Sequence, residues 1–259
     1  GNCSSLDYEL ITQTWGNFTE CSCGVYALSS SACPPAGRVQ HVGGKTMLTL
    51  DLDNNGVRDL IFSEESCSNL YLLANDGTKD NAHIQGASTF PVSQPADIQI
   101  FPASYLEDVD FDGLKDLIVS PNIYTRSTFS DNLRQSLLFY KNTGTVSLPQ
   151  FTYRQPDFLQ SEMIDVGDYA VPAFTDEDHD GDLDMFIGTF STQAFRGSIY
   201  HFENIGTAAV PAFRFVTDDF LGIKAAMVQN VIPPLYNFKP QFADMNADGM
   251  IQSAQAHVH

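Results

Sequence analysis

Short apolar runs of strand length, separated by turn-forming residues, recur along most of the chain. The runs are rich in residues that favour β-strands. The helical pattern, with apolar residues three and four positions apart, is confined to a short turn predicted over 221–229. The pattern therefore predicts an all-β protein made of small antiparallel sheets.

An acidic phrase returns four times between these runs. It reads DLDNNGVRDL from residue 51, DVDFDGLKDL from 108, DEDHDGDLDM from 176 and DMNADGMIQS from 244. A second phrase, an apolar strand followed by the turn signal Asn-x-Gly-Thr, keeps step with it at 69–78, 136–145 and 198–207. Several phrases repeating in one order indicate a single structural unit that is repeated.

Strands are predicted on both sides of each acidic loop. The runs MLTLD, YLEDVD and AVPAFTD precede the first three loops, and DLIFS, DLIVS and DMFIG follow them. Three or four short strands cannot bury both faces of a sheet alone, so neighbouring units must stack. We expect a β-propeller-like array of about four small antiparallel blades over 41–259, preceded by a cysteine-containing segment over 1–40.

The acidic loops have the spacing of a calcium site, Asp-x-Asp-x-Asp-Gly-x-x-Asp. Ca²⁺ prefers six to eight oxygen ligands, and alternate residues of a curled loop can direct their oxygens at one centre. The glycine permits a sharp reversal, after which a backbone carbonyl can face inward. The predicted ligands are Asp51, Asp53, Asn55, Val57 and Asp59; Asp108, Asp110, Asp112, Leu114 and Asp116; and Asp176, Asp178, Asp180, Asp182 and Asp184.

Two other interpretations fit the loops less well. An EF-hand needs a glutamate at position 12, where this chain has Phe62, Val119 and Ile187. Plain acidic turns would leave several carboxylates repelling one another without a cation. We therefore predict Ca²⁺ in three loops.

The fourth loop matches the calcium spacing only in part. Asp244, Asn246 and Asp248 are in place, but Gln252 stands where the closing aspartate is expected. A fourth calcium site is left open.

The charge balance argues against two classes of partner. Asp and Glu number 32 against 13 Lys and Arg, a formal net charge of -19. Such a chain repels phosphate backbones and anionic lipid surfaces. We expect no nucleic-acid partner and no membrane insertion.

Five cysteines, at 3, 21, 23, 33 and 67, favour an oxidising compartment. At least one disulfide is expected near the N-terminus, and Cys21 and Cys23 are too close in sequence to bond each other without strain. The connectivity stays open, as does a zinc cluster, although the chain has no Cys-x-x-Cys pair. The opening GNCSS is not a leader, so any signal peptide is expected to have been removed.

Over residues 40–252 the chain resembles the FG-GAP or VCBS-type repeats, whose acidic calcium loops also occur in the integrin α-subunit propeller. Phrases such as GGKTMLTLDLDNNGVRDLIFSEESCSNLYLL look like secreted and surface proteins of Bacteroidetes exported by type IX secretion. The resemblance implies an extracellular or cell-surface protein with an export signal on a further C-terminal part. Family propellers have about seven blades, which implies an incomplete propeller or assembly with further repeats or subunits.

No catalytic motif is recognisable in the sequence, so we expect a binding protein rather than an enzyme. The leading hypothesis is a calcium-stabilised extracellular scaffold or adhesion module whose partner is a glycan or an extracellular protein. The polar stretch 121–132 is the candidate contact. The alternatives are the non-catalytic body of a carbohydrate-active enzyme and a structural subunit of a surface filament or layer.

Overall fold

The computed structural model describes residues 10, 12, 14–29, 31–33, 44–98, 100–122, 133–191, 196–228 and 238–244. These residues form an all-β fold, as predicted. They divide into two compact units, one up to Met163 and the other from Ile164 onward. Each unit is described by itself below.

The first unit contains a hairpin and two four-stranded antiparallel sheets. The hairpin consists of β1 (Phe18–Ser22) and β2 (Val25–Leu28). The first sheet consists of β3 (Lys45–Leu50), β4 (Asp59–Glu64), β5 (Leu70–Asn75) and β6 (Ile84–Phe90). The second sheet consists of β7 (Pro102–Glu107), β8 (Asp116–Pro121), β9 (Leu138–Asn142) and β10 (Phe151–Gln155).

The second unit contains one four-stranded antiparallel sheet and a short helix. The helix α1 (Ile223–Val228) confirms the predicted helical turn. Short 3-10 turns lie at Trp15–Asn17 and Leu133–Gln135 in the first unit and at Phe220–Gly222 in the second. The strands of the sheet are β11 (Asp168–Thr175), β12 (Asp184–Ser191), β13 (Arg196–Asn204) and β14 (Phe213–Thr217).

Each four-stranded sheet is a simple meander in which consecutive strands pair. This confirms the predicted unit of up to four short strands, three times over within the described residues. None of these sheets closes on itself. The fourth predicted unit lies almost wholly outside the described residues, as does most of the predicted contact stretch 121–132.

In the first unit, one apolar core joins the two four-stranded sheets. Ile61 and Leu70 of the first sheet share this core with Leu117 and Val119 of the second, and all four are fully buried. Burying an aliphatic side chain of this size contributes about 1.5–3 kcal/mol. Neighbouring sheets were expected to stack because a single repeat cannot cover its own faces. The two four-stranded sheets of the first compact unit do stack in this way.

The N-terminal hairpin packs on the opposite side of the first sheet. Phe18 and Tyr26 make edge-to-face contacts with the Phe62 ring at 6.4 and 6.3 Å between centroids. Disulfides join Cys21 to Cys33 and Cys23 to Cys67. The expected cross-linking is confirmed, with separate partners for Cys21 and Cys23; Cys3 lies outside the described residues.

In the second unit the sheet buries apolar side chains on both faces. Met185 and Ile187 of β12 face one cluster, while Phe186 between them faces another that includes Met227 of the helix. Gly188 brings a following segment close, because a Cβ at this position would lie 2.0 Å from the Phe238 carbonyl oxygen. No helix in the described part of the chain is long and apolar enough to cross a membrane.

Candidate metal centre

The three acidic loops lie in equivalent places, each joining the first and second strands of a four-stranded sheet. The residues at position 12 of each loop are buried strand residues: Phe62 in β4, Val119 in β8 and Ile187 in β12. An EF-hand, which needs a ligand at that position and helices on both sides, is incompatible with this arrangement.

The first loop is folded around the carboxylate of Asp51. Its Oδ1 accepts a hydrogen bond from the Asn55 amide at 3.1 Å, and its Oδ2 accepts one from the Gly56 amide at 2.9 Å. Asn55 Oδ1 in turn accepts from the Val57 amide at 2.9 Å. Gly56 has φ +85°, a backbone conformation in which a residue with a side chain would be strained. These bonds make a tight curl that turns several oxygens towards one side.

The second and third loops repeat this hydrogen-bond pattern position by position. In both, the first aspartate accepts from two loop amides, and the third aspartate accepts from the amide two residues later. The distances are 3.1 Å (Asp112 N to Asp108), 2.9 Å (Gly113 N to Asp108) and 2.9 Å (Leu114 N to Asp112). In the third loop they are 3.1 Å (Asp180 N to Asp176), 3.1 Å (Gly181 N to Asp176) and 3.0 Å (Asp182 N to Asp180).

The closing aspartate of each loop is buried and ties the loop to the third strand of its sheet. Asp59 accepts from the Leu52 amide at 3.0 Å and from the Asn75 amide at 2.9 Å. The same bridge recurs in the other sheets. Asp116 accepts from Val109 N at 3.3 Å and Asn142 N at 2.8 Å, and Asp184 accepts from Glu177 N at 3.1 Å and Asn204 N at 2.9 Å.

The asparagine of each Asn-x-Gly-Thr phrase has a structural role that the sequence analysis missed. Asn75 is buried; its Oδ1 accepts from the amides of Gly77 and His83, and its Nδ2 donates to the Arg58 carbonyl. Asn142 makes the equivalent three bonds, and Asn204 makes the two accepting ones. The asparagine thus connects the acidic loop to the next hairpin turn. The repetition of the phrase in step with the loops was the available signal.

Each loop brings carboxylates together. Three ligand oxygens lie within 4.8 Å of one another in the group Asp51, Asp53 and Asp59, and also in the group Asp108, Asp110 and Asp116. Asp176, Asp178 and Asp180 form the corresponding group in the third loop. Each carboxylate oxygen that accepts one amide keeps a further lone pair. The donor set is all oxygen, which suits a hard cation such as Ca²⁺.

The remaining predicted ligands are placed less completely. Asn55 and Asp112 lie within their loops, and the side-chain oxygen of each accepts a hydrogen bond from the backbone amide two residues later. The roles of the Val57, Leu114 and Asp182 carbonyls stay predictions. Asp244 is exposed at the end of the last described segment, and Asn246 and Asp248 lie outside the described residues.

The second loop differs from the first in having a lysine beside it. Lys141 Nζ contacts both Asp110 and Asp112, the latter at 2.8 Å. The hydrogen bonds to Asp110 and Asp112 raise the pKa of Lys141, and the bond from Lys141 lowers the pKa of Asp112. The equivalent position, immediately before the buried asparagine, is Ala74 in the first sheet and Glu203 in the third. Among the described residues, an ammonium group therefore contacts the carboxylates of the second loop only and offsets part of its negative charge.

Replacing Lys141 with methionine is expected to tighten Ca²⁺ binding at the second loop, by roughly twofold to fivefold, because the competing ammonium is removed. Calcium titration calorimetry on the variant and the parent chain measures the change. Lys115→Met is the matched control, since it removes the same charge from a lysine within the second loop that has no ion pair with Asp110 or Asp112 among the described contacts. Equal tightening by both variants would show that net charge, rather than the Lys141 contacts, sets the affinity.

The third loop carries more negative charge than the other two. Asp182 adds a side chain where the first and second loops have Val57 and Leu114, and its Oδ1 is buried without a hydrogen-bond partner among the described residues. Burial raises the pKa of Asp182, and the negative charges of Asp180 and Asp184 raise it further. A buried, unpartnered carboxylate oxygen among other carboxylates favours a bound cation.

One further acidic group has a different explanation. Glu20 and Glu64 lie near Cys67, but Lys45 Nζ contacts a carboxylate oxygen of each glutamate at 2.5 Å, and Cys67 is bonded to Cys23. This group links the N-terminal hairpin to the first sheet. Lys45 offsets one of the two glutamate charges and the Cys67 sulfur is held in a disulfide, so this group is not a candidate metal site.

No protein-family profile, curated protein or solved structure matches this chain.

Proposed function

We propose that this protein is a calcium-binding, extracellular or cell-surface β-repeat module of the FG-GAP/VCBS type, acting as a scaffold or adhesion domain. The observation that carries the proposal is the threefold recurrence of one acidic loop with the same hydrogen bonds. A turn needs no such convergence of carboxylates, whose mutual repulsion costs stability unless a cation compensates it. The residues that would hold Ca²⁺ are the loop aspartates and Asn55.

Calcium would act here by bracing the fold. Each loop joins two strands, and its closing aspartate already reaches the third strand through the amides of Asn75, Asn142 or Asn204. An ion shared by the loop carboxylates would therefore stiffen one edge of each sheet. The two disulfides are consistent with an extracellular setting.

A groove in the first unit supports a ligand-binding role. It runs between β3 and β7, has a volume of about 1050 Å³ and is lined in part by Met47, Arg58, Tyr105 and Lys115. Met47 and Tyr105 are 68% and 51% exposed, so apolar and aromatic surface is available beside two cationic side chains. Such a mixture suits a glycan or a protein segment. The propeller architecture, the enzyme-body alternative and the filament alternative stay predictions.

Calcium removal is expected to lower the melting temperature of the purified chain. A ligand at a hundredfold excess over its Kd stabilises the native state by about 2.7 kcal/mol per site. For a chain of this size that corresponds to roughly 5–10 °C for each site. Thermal unfolding in Ca²⁺ and in a chelator, with bound metal counted by elemental analysis on the same sample, checks this.

Magnesium at the same concentration is the control, because Mg²⁺ demands a smaller octahedral site and gives up its waters reluctantly. We expect three bound calcium ions and a weaker effect of Mg²⁺. A chain that binds no metal and melts at the same temperature under both conditions would refute the calcium proposal and leave the loops as acidic turns.

A further inference from the structure

The third repeat unit departs from the first at four positions around its acidic loop. All four positions are apolar in the first repeat unit and polar or charged in the third. The residues of the first repeat unit are Leu50, Leu52, Val57 and Leu72, and those of the third are Thr175, Glu177, Asp182 and His201. The second repeat unit has Glu107, Val109, Leu114 and Phe139 at these positions.

Two of the exchanged residues converge on the closing aspartate. A carboxylate oxygen of Glu177, a carboxylate oxygen of Asp184 and a ring nitrogen of His201 lie within 4.8 Å of one another. In the first repeat unit, Leu52 stands in place of Glu177 and Leu72 in place of His201. Both leucines pack against the apolar core. Where the first repeat unit has two packing leucines, the third therefore has a glutamate and a histidine beside the closing aspartate.

The histidine packs against aromatic rings, and one of its ring nitrogens has no hydrogen-bond partner among the described residues. His201 is only 8% exposed, and its ring stacks on Phe186 at 4.4 Å between centroids with Phe220 at 5.5 Å. Its Nε2 is buried and has no hydrogen-bond partner among the described residues. Leaving a buried polar atom unpaired has a free-energy cost. An occupant that accepts the nitrogen lone pair would remove this cost.

A second unpartnered atom lies beside the same aspartate. Thr175 pairs with Asp184 in the register of β11 and β12, and its buried Oγ1 also has no hydrogen-bond partner in the described part of the chain. The equivalent of Thr175 in the first repeat unit is Leu50, whose apolar side chain needs no hydrogen-bond partner. The unsatisfied polar atoms of this region therefore accompany the exchanged residues.

We propose that Glu177, Asp184 and His201 form a second divalent-cation site, adjoining the third acidic loop and selective for a transition metal of the Zn²⁺ class. Imidazole nitrogen is a good ligand for Zn²⁺ and a poor one for Ca²⁺, which takes oxygen. Three protein ligands, two carboxylates and one imidazole, leave a coordination position for water or a partner's side chain. The site shares Asp184 with the third loop but does not require calcium there.

Zinc titration calorimetry in calcium-saturated buffer tests the proposal, with Zn²⁺ alone as the probe. The parent chain is expected to bind one more equivalent of Zn²⁺ than the His201→Leu variant, which carries the leucine found at the equivalent position, Leu72, of the first repeat unit. Glu177→Leu likewise introduces the residue of the first repeat unit, Leu52. It is expected to weaken zinc binding by about tenfold or more, since even loss of a residue that only supports a metal ligand lowers affinity by about 10–100-fold. His179→Asn is the control: His179 is exposed in the same loop and corresponds to Asn54.

Equal zinc binding by the parent chain and both leucine variants overturns the site. Should His201→Leu lose its circular dichroism spectrum, Glu177→Leu still decides, because the Glu177 side chain is exposed. Zinc binding that depends on His201 in a chain that takes up no calcium would support this site and refute the calcium proposal. Calcium uptake without His201-dependent zinc binding would refute the zinc site and support the calcium proposal.

Discussion

Asp59→Ala is expected to destabilise the protein both with and without calcium, whereas Asp53→Ala should do so only with calcium. Asp59 is buried and accepts amides from Leu52 and Asn75, so its loss leaves two donors unpaired whatever ion is bound. That loss costs about 3 kcal/mol, or roughly 6–12 °C in melting temperature. Asp53 is exposed, and its hydrogen bonds within the described part of the chain are to Asn55 alone. Thermal unfolding of both variants in Ca²⁺ and in a chelator measures the difference.

Asp59→Asn provides the intermediate case. It keeps the shape and one acceptor oxygen but removes the charge, so it should recover part of the stability in chelator while still losing calcium affinity. If Asp53→Ala and Asp59→Ala were equally destabilised in chelator, the division between a structural closing aspartate and an exposed ligand would be wrong.

Asn142→Ala is expected to destabilise the second sheet by about 3 kcal/mol, independently of calcium. The buried side chain accepts from the amides of Gly144 and Gln150 at 3.0 and 3.1 Å and donates to the Lys115 carbonyl at 3.2 Å. Alanine removes all three bonds and separates the acidic loop from the hairpin turn. Urea unfolding at fixed calcium concentration measures the loss.

Ser147→Ala, in the same turn but exposed, is the control and should change stability by less than about 0.5 kcal/mol. An Asn142→Ala chain as stable as this control would mean that water replaces the asparagine bonds and that the phrase is only a turn signal.

The glycine of the same phrase shows why the turn could be predicted but not explained from the sequence. Asn-x-Gly-Thr indicated a turn after each strand, and the turns are present between β5 and β6, β9 and β10, and β13 and β14. Yet the glycine is needed for close approach. A Cβ on Gly77, Gly144 or Gly206 would lie 2.2 or 2.3 Å from a backbone oxygen of the following turn.

The repeat unit, its strands and the acidic loops were determined by the sequence, because they are local. A strand needs a short apolar run, and a curled loop needs aspartates at alternate positions with a glycine after the third. These features lie within about ten residues of one another, so the spacing alone predicted the strands beside 51–59, 108–116 and 176–184, which the structure confirms.

Contacts between distant segments were decided only by the tertiary structure. The partner of Cys23 is Cys67, in the connection between β4 and β5. Lys141 reaches Asp110 from β9, and His201 on β13 lies close to Glu177 in the third loop. Each depends on strand register and sheet packing, which place residues of distant sequence within a few ångströms. The repeats share one backbone pattern, but side chains arriving from the third strand give each loop its own charge and its own chemistry.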